Sequence, residues 1–401
     1  LSGFAGVLRF DGVRADPEFI RCLANSLAFR GPDAQSAWAS EGIGLAHTLL
    51  RTTFESENET QPATLDNVLW CVSDVRLDAR SDLIAELKTN GREVRQAMPD
   101  VELLLHAYQT WGEDLLSHIS GDFSFAIWDR LRGVLFCAND HFAVRPFYYA
   151  RTQNTLIFGN TLESVRLHPE VSSELNEQAI ADFLLVGLNW NPATTSFAQI
   201  QRLPAAHKLI CINGEVRKQR YWSFPIEEPL RYTRKQDYPE HFLQLLRAAV
   251  SDRMRTNRAG ILMSGGLDST SIAAVACDSR EARAGRFELH AVSLSYDRVM
   301  HDEERKYSSV AAKHFGISIE HFNAAGGALF QGSCEPTAEP YEGIANPIFR
   351  KCYTALAAHA PVFFTGQGGD LGLVPSIAGY MGAGLGRLLW GSAVYAASHG
   401  G

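Results

Sequence analysis

The residues best suited to chemistry stand together at positions 264–270, Ser264-Gly265-Gly266-Leu267-Asp268-Ser269-Thr270. They fall where the apolar run Ile261, Leu262, Met263 gives way to a helical pattern over 271–277. Glycines at such a junction let the backbone approach an anion closely, and the first N–H groups of the helix point at it. Ser264, Ser269 and Thr270 add hydroxyl donors, and Asp268 is a hard oxygen ligand able to hold Mg²⁺ against phosphates. The string therefore describes a pocket for pyrophosphate. It is not a Walker A loop, because the GK[ST] ending and its lysine are absent. A second glycine string, Gly366-Gln367-Gly368-Gly369-Asp370, follows the apolar run 361–365.

The elements that must position these residues divide the chain in two. At about 150 residues per domain, 401 residues make two or three domains. Over residues 121–129, Phe123, Phe125 and Ile127 alternate with Ser124 and Ala126, which predicts a strand; short apolar runs follow at 134–137, 147–149 and 156–158. Asn213-Gly214 predicts a two-residue hairpin turn. Asp16-Pro17 reads as a helix N-cap followed by proline, with Phe19, Leu23 and Leu27 on one face. Asp100 reads as the N-cap of a second helix with the stripe Val101, Leu104, Leu105, Tyr108, Trp111. The first half is thus α+β. Pro225, Pro229 and the charges of 231–237 read as a linker, giving domains at 1–222 and 223–401. Beyond it an amphipathic helix (Phe242, Leu245, Leu246, Ala249, Val250, Met254) precedes apolar runs at 260–263, 289–294 and 361–365. Helices alternate with these runs, one of them carrying Tyr307, Val310, Ala311 and His314 and closed by Gly316. That pattern predicts a parallel sheet in an α/β domain.

Composition narrows the function. With 46% hydrophobic residues and a formal net charge of −8, the chain can bury sizeable cores and lacks the basic surplus of nucleic-acid readers. The seven scattered cysteines form no CxxC pair and suggest neither a disulfide framework nor a zinc site, which fits a reducing cytoplasm. Residues 371–398 carry Arg387 as their only charge, and their Gly, Ala and Pro375 favour a buried or partner-facing segment over a membrane span.

The loop at 264–270 resembles the pyrophosphate loop of N-type ATP pyrophosphatases, and Gly366–Asp370 resembles the GxGxD motif of the asparagine synthetase family. In the first half, Ser2-Gly3-Phe4-Ala5-Gly6, Arg30-Gly31-Pro32-Asp33 and Gly121-Asp122-Phe123-Ser124-Phe125-Ala126 are similar to the opening strand, RGPD loop and GxFAFA strand of class II glutamine amidotransferases. Residues 140–149 resemble that family's DHxGxxPLY segment. The motifs occur in family order and cover the chain to about residue 372. The resemblance implies an Ntn-hydrolase-like αββα sandwich followed by an adenine nucleotide α-hydrolase-like domain. It implies ATP contacts from Met263, Ser264, Gly265, Gly266, Leu267, Asp268, Ser269, Thr270, Val292, Thr365 and Gly366, and a Mg²⁺ site on Asp268 and Asp370. Gln367, at the variable position of GxGxD, can orient an amine but cannot titrate.

The glutaminase half departs from its family. Ser2 stands where the nucleophilic cysteine belongs, and a serine hydroxyl is far less ionised. Leu1 precedes it; if Leu1 is a misread initiator, its removal would make Ser2 the free terminus. Thr48 aligns with the arginine that grips the glutamine carboxylate, and Asp74-Val75-Arg76 with the oxyanion-hole Asn-Gly-Glu; an aspartate there repels a developing oxyanion. Asp100 alone keeps its family identity, as the glutamine α-amine contact. The expectation is an inert glutaminase-like domain. After Asp370 there is no Lys, Asp or Glu, so the second domain is expected to be incomplete at its carboxyl end; Lys306, Lys313 and Lys351 read as helix-surface residues.

Three functions fit: an acyl-AMP-forming amide synthetase that closes a ring, as the family's β-lactam and lasso-peptide macrolactam synthetases do; a glutamine-hydrolysing asparagine synthetase; and an ATP-binding pseudoenzyme or assembly subunit. Expected partners are a small-molecule or peptide substrate, with a precursor peptide, its processing protein and a second copy of the chain as candidates. No nucleic acid and no membrane is expected.

Overall fold

The computed structural model describes residues 1–224, 230–282, 287–296, 302–324, 339 and 347–369. The first stretch runs β1 (Gly3–Arg9), α1 (Pro17–Ser26), β2 (Ala34–Ala39), β3 (Ile43–Leu49), β4 (Ala63–Leu65), β5 (Leu69–Asp78), α2 (Arg80–Thr89) and α3 (Asp100–Trp111). It continues with β6 (Ser120–Asp129), β7 (Val134–Asn139), β8 (Tyr148–Arg151), β9 (Thr155–Gly159), α4 (Leu162–Arg166) and α5 (Glu177–Val186). Then come β10 (Ile200–Arg202), β11 (His207–Ile212), β12 (Glu215–Arg220) and α6 (Asp237–Arg253). The last stretch holds β13 (Arg258–Leu262), α7 (Leu267–Ala282), β14 (Glu288–Ser295), α8 (Glu304–Phe315), β15 (Ser318–Asn323), α9 (Pro347–His359) and β16 (Phe363–Thr365). Two compact units result, 1–256 with 332–345, and 257–331 with 346–401.

The first unit stacks two antiparallel sheets, β10-β8-β9-β1-β3-β2 and β12-β11-β7-β6-β5-β4. Period-two alternation builds its layers. Phe123, Phe125 and Ile127 of β6 face α2 and α3 in one core, which holds Leu83, Leu87, Val101 and Leu104. Ala126, between them in sequence, faces Phe4, Leu45 and Phe158 of the other sheet. On the far side Ile20, Leu23, Ala24 and Leu27 pack α1 against Ala5, Val7 and Ala46. The order is helix, sheet, sheet, helix, the αββα sandwich that the sequence motifs imply. Asp16 caps α1 by accepting from the Glu18 N–H (3.0 Å), with Pro17 in the first turn. Asn213 and Gly214 both take positive φ (50° and 79°) and join β11 to β12 with Ile212 opposite Glu215.

The second unit carries a four-stranded sheet, β15-β14-β13-β16, and all three of its pairings are parallel. Two expected helix faces differ. Gly316 closes α8 at φ 62°, but Tyr307 and Val310 are exposed while Ser308 and Ala312 are buried, because small residues let α8 sit close to the sheet. In α6 only Val250 is buried, with Met254 just beyond it; Phe242 and Leu245 are 47% and 57% exposed. The six described cysteines are free thiols, and Cys334 lies outside the described residues. Among the described residues no helix is long and apolar enough to cross a membrane; the apolar stretch 371–398 lies outside them.

The layered cores set a direct comparison. Phe125→Ala, at a fully buried position, is expected to cost about 3–5 kcal/mol in urea unfolding. Phe142→Ala, 67% exposed, should stay within about 0.5 kcal/mol of the parent.

Candidate functional site

In the second unit, Leu262 of β13 pairs with Val292 of β14 on one side and Thr365 of β16 on the other, so three strand ends lie abreast. The chain builds outward through β14 and β15, then returns to place β16 on the opposite side of β13. Strand order reverses at β13, and ligands of parallel α/β sheets bind beyond the carboxyl ends at such a point. Both glycine strings begin there.

Residues 264–270 join β13 to α7. Gly265 has φ +85°, and a Cβ on it would stand 2.6 Å from the Ser308 N and 2.8 Å from the Tyr307 Cβ, so only glycine fits against α8. The Ser264 N–H donates to Ser269 Oγ (3.2 Å) and the Gly266 N–H to Ser264 Oγ (3.1 Å), which holds the turn open from within. The second string crosses the start of α7. A Cβ on Gly366 would stand 2.8 Å from the Ser269 N, and one on Gly369 2.4 Å from Asp268 Oδ2. The two strings thus touch backbone to backbone over the Asp268 carboxylate. Thr270 Oγ1 is buried with no partner among the described residues.

Around this cradle Met263 is buried and donates its N–H to the Val292 carbonyl (2.8 Å), while the Val292 side chain packs with Leu294, Cys352 and Leu356. Thr365 and Gly366 are half-buried; the Leu267 and Gln367 side chains are exposed. Asp370 lies outside the described residues. A backbone cradle that admits no Cβ, an unpartnered buried hydroxyl and a hard carboxylate fit a Mg²⁺-bound polyphosphate, with Asp268 as the described group that would hold the ion.

The first unit forms a second polar site at the start of β1. Asn160, buried beside it, donates Nδ2–H to the Ser2 carbonyl (2.9 Å) and accepts the Phe4 N–H on Oδ1 (2.9 Å). Ser2 Oγ accepts the Leu50 N–H (3.2 Å). Opposite it, Asp74 lies 3.5 Å from a guanidinium nitrogen of Arg30 and 3.7 Å from that of Arg145. Asp100 accepts the Leu77 N–H (2.9 Å), pairs with Arg80, and takes two bonds from Arg255 (3.0 and 2.5 Å). Glu55 flanks the same two arginines. A cavity of about 40 Å³ lies among Ser2, Glu59, Asp74, Asp100 and Arg145. Burial pushes the Glu59 carboxyl up to about 7. Asp140 fixes the wall behind, accepting the N–H groups of Phe123, Phe142, Val144 and Arg145.

Residues 1–222 match the glutamine amidotransferase domain family, and residues 241–380 match asparagine synthase. The chain belongs to the asparagine synthase family. The glutamine-hydrolysing asparagine synthetase 3 of Bacillus subtilis (strain 168) is 28% identical over 294 residues, covering 72% of this chain and 46% of that protein. A putative glutamine-hydrolysing asparagine synthetase 2 of Methanocaldococcus jannaschii is 28% identical over 342 residues, 80% of this chain and 64% of that one. The glutamine-hydrolysing asparagine synthetase 2 of B. subtilis is 23% identical over 395 residues, 92% and 51%. The chain spans about half the length of these relatives. A B. subtilis glutamine phosphoribosylpyrophosphate amidotransferase structure, solved with ADP and GMP, matches over 90% of each chain at 13% identity and TM-score 0.40.

Of the residues that the sequence of this asparagine synthase family member aligns with a glutamine pocket, the structure gathers Ser2, Asp74 and Asp100 around one cavity. Thr48, at the position of the carboxylate-gripping arginine, is buried in β3 and donates its hydroxyl to the Leu27 carbonyl (3.0 Å). The expected N-cap role of Asp100 is not what the helix uses. Pro99 occupies the cap, no side chain caps the helix, and the Asp100 carboxylate turns to Leu77, Arg80 and Arg255 instead. Asp74 faces two guanidinium groups, so its charge is balanced within the wall. Sequence reasoning missed Arg80, Arg255, Glu55 and Glu59. Ala143, aligned with the glycine of DHxGxxPLY, keeps the left-handed backbone (φ +53°) that the glycine would adopt freely.

Two measurements test this wall. Asp100→Ala leaves two buried guanidiniums with only the longer contacts to Glu55 (3.8 and 3.4 Å) as counter-charge and should cost about 3 kcal/mol in urea unfolding. For Glu59, the unfolded carboxyl ionises near 4.5, whereas the folded one keeps its proton to about 7. Its contribution is therefore present below pH 4.5 and lost as pH rises to 7. Glu59→Gln keeps the acceptor that Gln61 uses (2.6 Å) and should raise Tm at pH 8 while leaving it unchanged at pH 4.

Proposed function

We propose that the chain belongs to an ATP-dependent amide synthetase that activates a carboxylate as an acyl-adenylate, and that its amidotransferase domain does not release ammonia. In the first step a substrate carboxylate oxygen attacks the α-phosphorus of ATP, a P–O bond forms, and the bond to pyrophosphate breaks. The glycine strings at 264–270 and 366–369 are suited to hold the leaving pyrophosphate by its oxygens, because they offer backbone where side chains would obstruct. Mg²⁺, when bound, would neutralise charge on that leaving group, with Asp268 as a ligand. An amine then displaces AMP from the acyl carbon to leave the amide.

The observation that carries the ammonia-free reading is the pairing of Asp100. The acid that the family turns to the glutamine α-amine is here held by Arg80 and Arg255. Ser2, a hydroxyl held by a backbone N–H, stands in the nucleophile's place. With no ammonia from this domain, the amine comes from the substrate, and a ring-forming, macrolactam-type reaction is the economical form, since an intramolecular amine can supply about 7–11 kcal/mol through proximity. A glutamine-hydrolysing asparagine synthetase is the second reading, favoured by the names of the relatives.

Incubation with glutamine, ATP, Mg²⁺ and aspartate separates the two. The proposal expects no glutamate and no asparagine; sustained glutamine hydrolysis coupled to asparagine would overturn it. Carboxylate-dependent ³²PPi–ATP exchange should appear with the correct acid, and Asp268→Ala should lower it about a hundredfold or more.

A further inference from the structure

The second unit holds a group of potential metal ligands that the nucleotide chemistry does not use. His290 lies on β14 and Glu320 on β15. His290 pairs with Ser318 and Val292 with Glu320, so His290 and Glu320 share one face of the sheet, diagonal to each other. Helix α9 covers that face, with Cys352 and Leu356 against Val292 and Leu294, and its last residue is His359. One ligand atom from each of His290, Glu320 and His359 lies within 4.8 Å of the others. The two imidazoles stack at 3.6 Å between centroids, 30° from parallel. They border a cavity of about 580 Å³.

The environment of His290 fixes which nitrogen is available. Its Nδ1 bonds Ser318 Oγ at 2.7 Å, and with Nδ1–H as the donor the lone pair resides on Nε2. That Nε2 is buried and has no hydrogen-bond partner among the described residues. Ligating histidines show this arrangement, one ring nitrogen tied to a polar neighbour and the other free for the ion. Tetrahedral ligands about 2.0–2.1 Å from an ion stand about 3.3 Å apart. The exposed side chains of Glu320 and His359 can close that distance by rotating about their own bonds, while His290 stays fixed.

We propose that His290, Glu320 and His359 form a site for a first-row divalent cation of the Zn²⁺ class, joining β14, β15 and the end of α9. Two imidazoles and one carboxylate suit such an ion better than Mg²⁺ or Ca²⁺, which prefer all-oxygen shells. Three protein ligands leave a fourth position for water or an exogenous anion. Among the described residues β15 is an edge strand whose ladder partner is β14, and the ion would tie it to the helix on the face that α9 covers.

The test uses the chain without a polyhistidine tag, stripped with EDTA and titrated with Co²⁺. A ligand-field spectrum should develop, saturate at one equivalent and collapse on addition of Zn²⁺. His359→Ala, at an exposed helix end where folding is not at stake, should abolish the spectrum, and Glu320→Gln should weaken binding about tenfold or more. Asp268→Ala should leave it intact, which separates this site from the nucleotide loop. A spectrum that never develops, that persists in His359→Ala, or that is lost in Asp268→Ala overturns the proposal.

Discussion

A carboxylate as deeply buried as Asp100 must be paired, and the way it is paired organises much of the first unit. Its oxygens take the Leu77 N–H at the end of β5, Arg80 from the first turn of α2, and Arg255 from the segment after α6. Removing both arginines would leave its charge without compensation in a poorly solvated place. Neighbouring contacts follow the same rule: Arg253 reaches Asp78 and Asp122 (both 2.8 Å), and Arg76 reaches the carbonyls at the end of α6. The wall around Ser2 thus sets Asp74 and Asp100 each against two guanidinium groups.

The glycine cradle obeys a different constraint, steric rather than electrostatic. Its parts work because side chains are missing: Gly265 against α8, Gly366 and Gly369 against the start of α7. The polar groups that remain, Asp268 and the hydroxyls of Ser264, Ser269 and Thr270, sit at the switch point of a parallel sheet. One chain thus carries a cradle shaped by missing side chains and a wall shaped by paired charges.

These two sites were unequally legible in the sequence. The cradle announces itself, because its residues are contiguous and glycine has few other reasons to recur between a strand and a helix. The αββα layers were also legible, since Phe123, Phe125 and Ile127 alternate with Ala126 as the two cores require. The pairing of Asp100 was not. Its partners stand 20 and 155 positions away, and a distance of that kind leaves no periodic trace. The apolar spacing of Tyr307 and Val310 misdirected the reading of α8, because close packing on the sheet selected Ser308 and Ala312 for their size. Strand β15 went unread, and helix α9 was read only at Lys351, so the meeting of His290, Glu320 and His359, which strand register and helix length bring about, went unread too.

The shortness of β16 has a consequence for timing. It meets β13 over three register positions, Gly260 to Leu262, whereas β13 and β14 share five and β14 and β15 six. During synthesis the first glycine string leaves the ribosome about a hundred residues before the second, with β14, α8, β15 and α9 between them. The half of the cradle made early must wait, solvated, for a late strand with little ladder of its own. A nucleotide that touches both strings would act at that moment as a clasp, selecting the completed sheet from chains still assembling it.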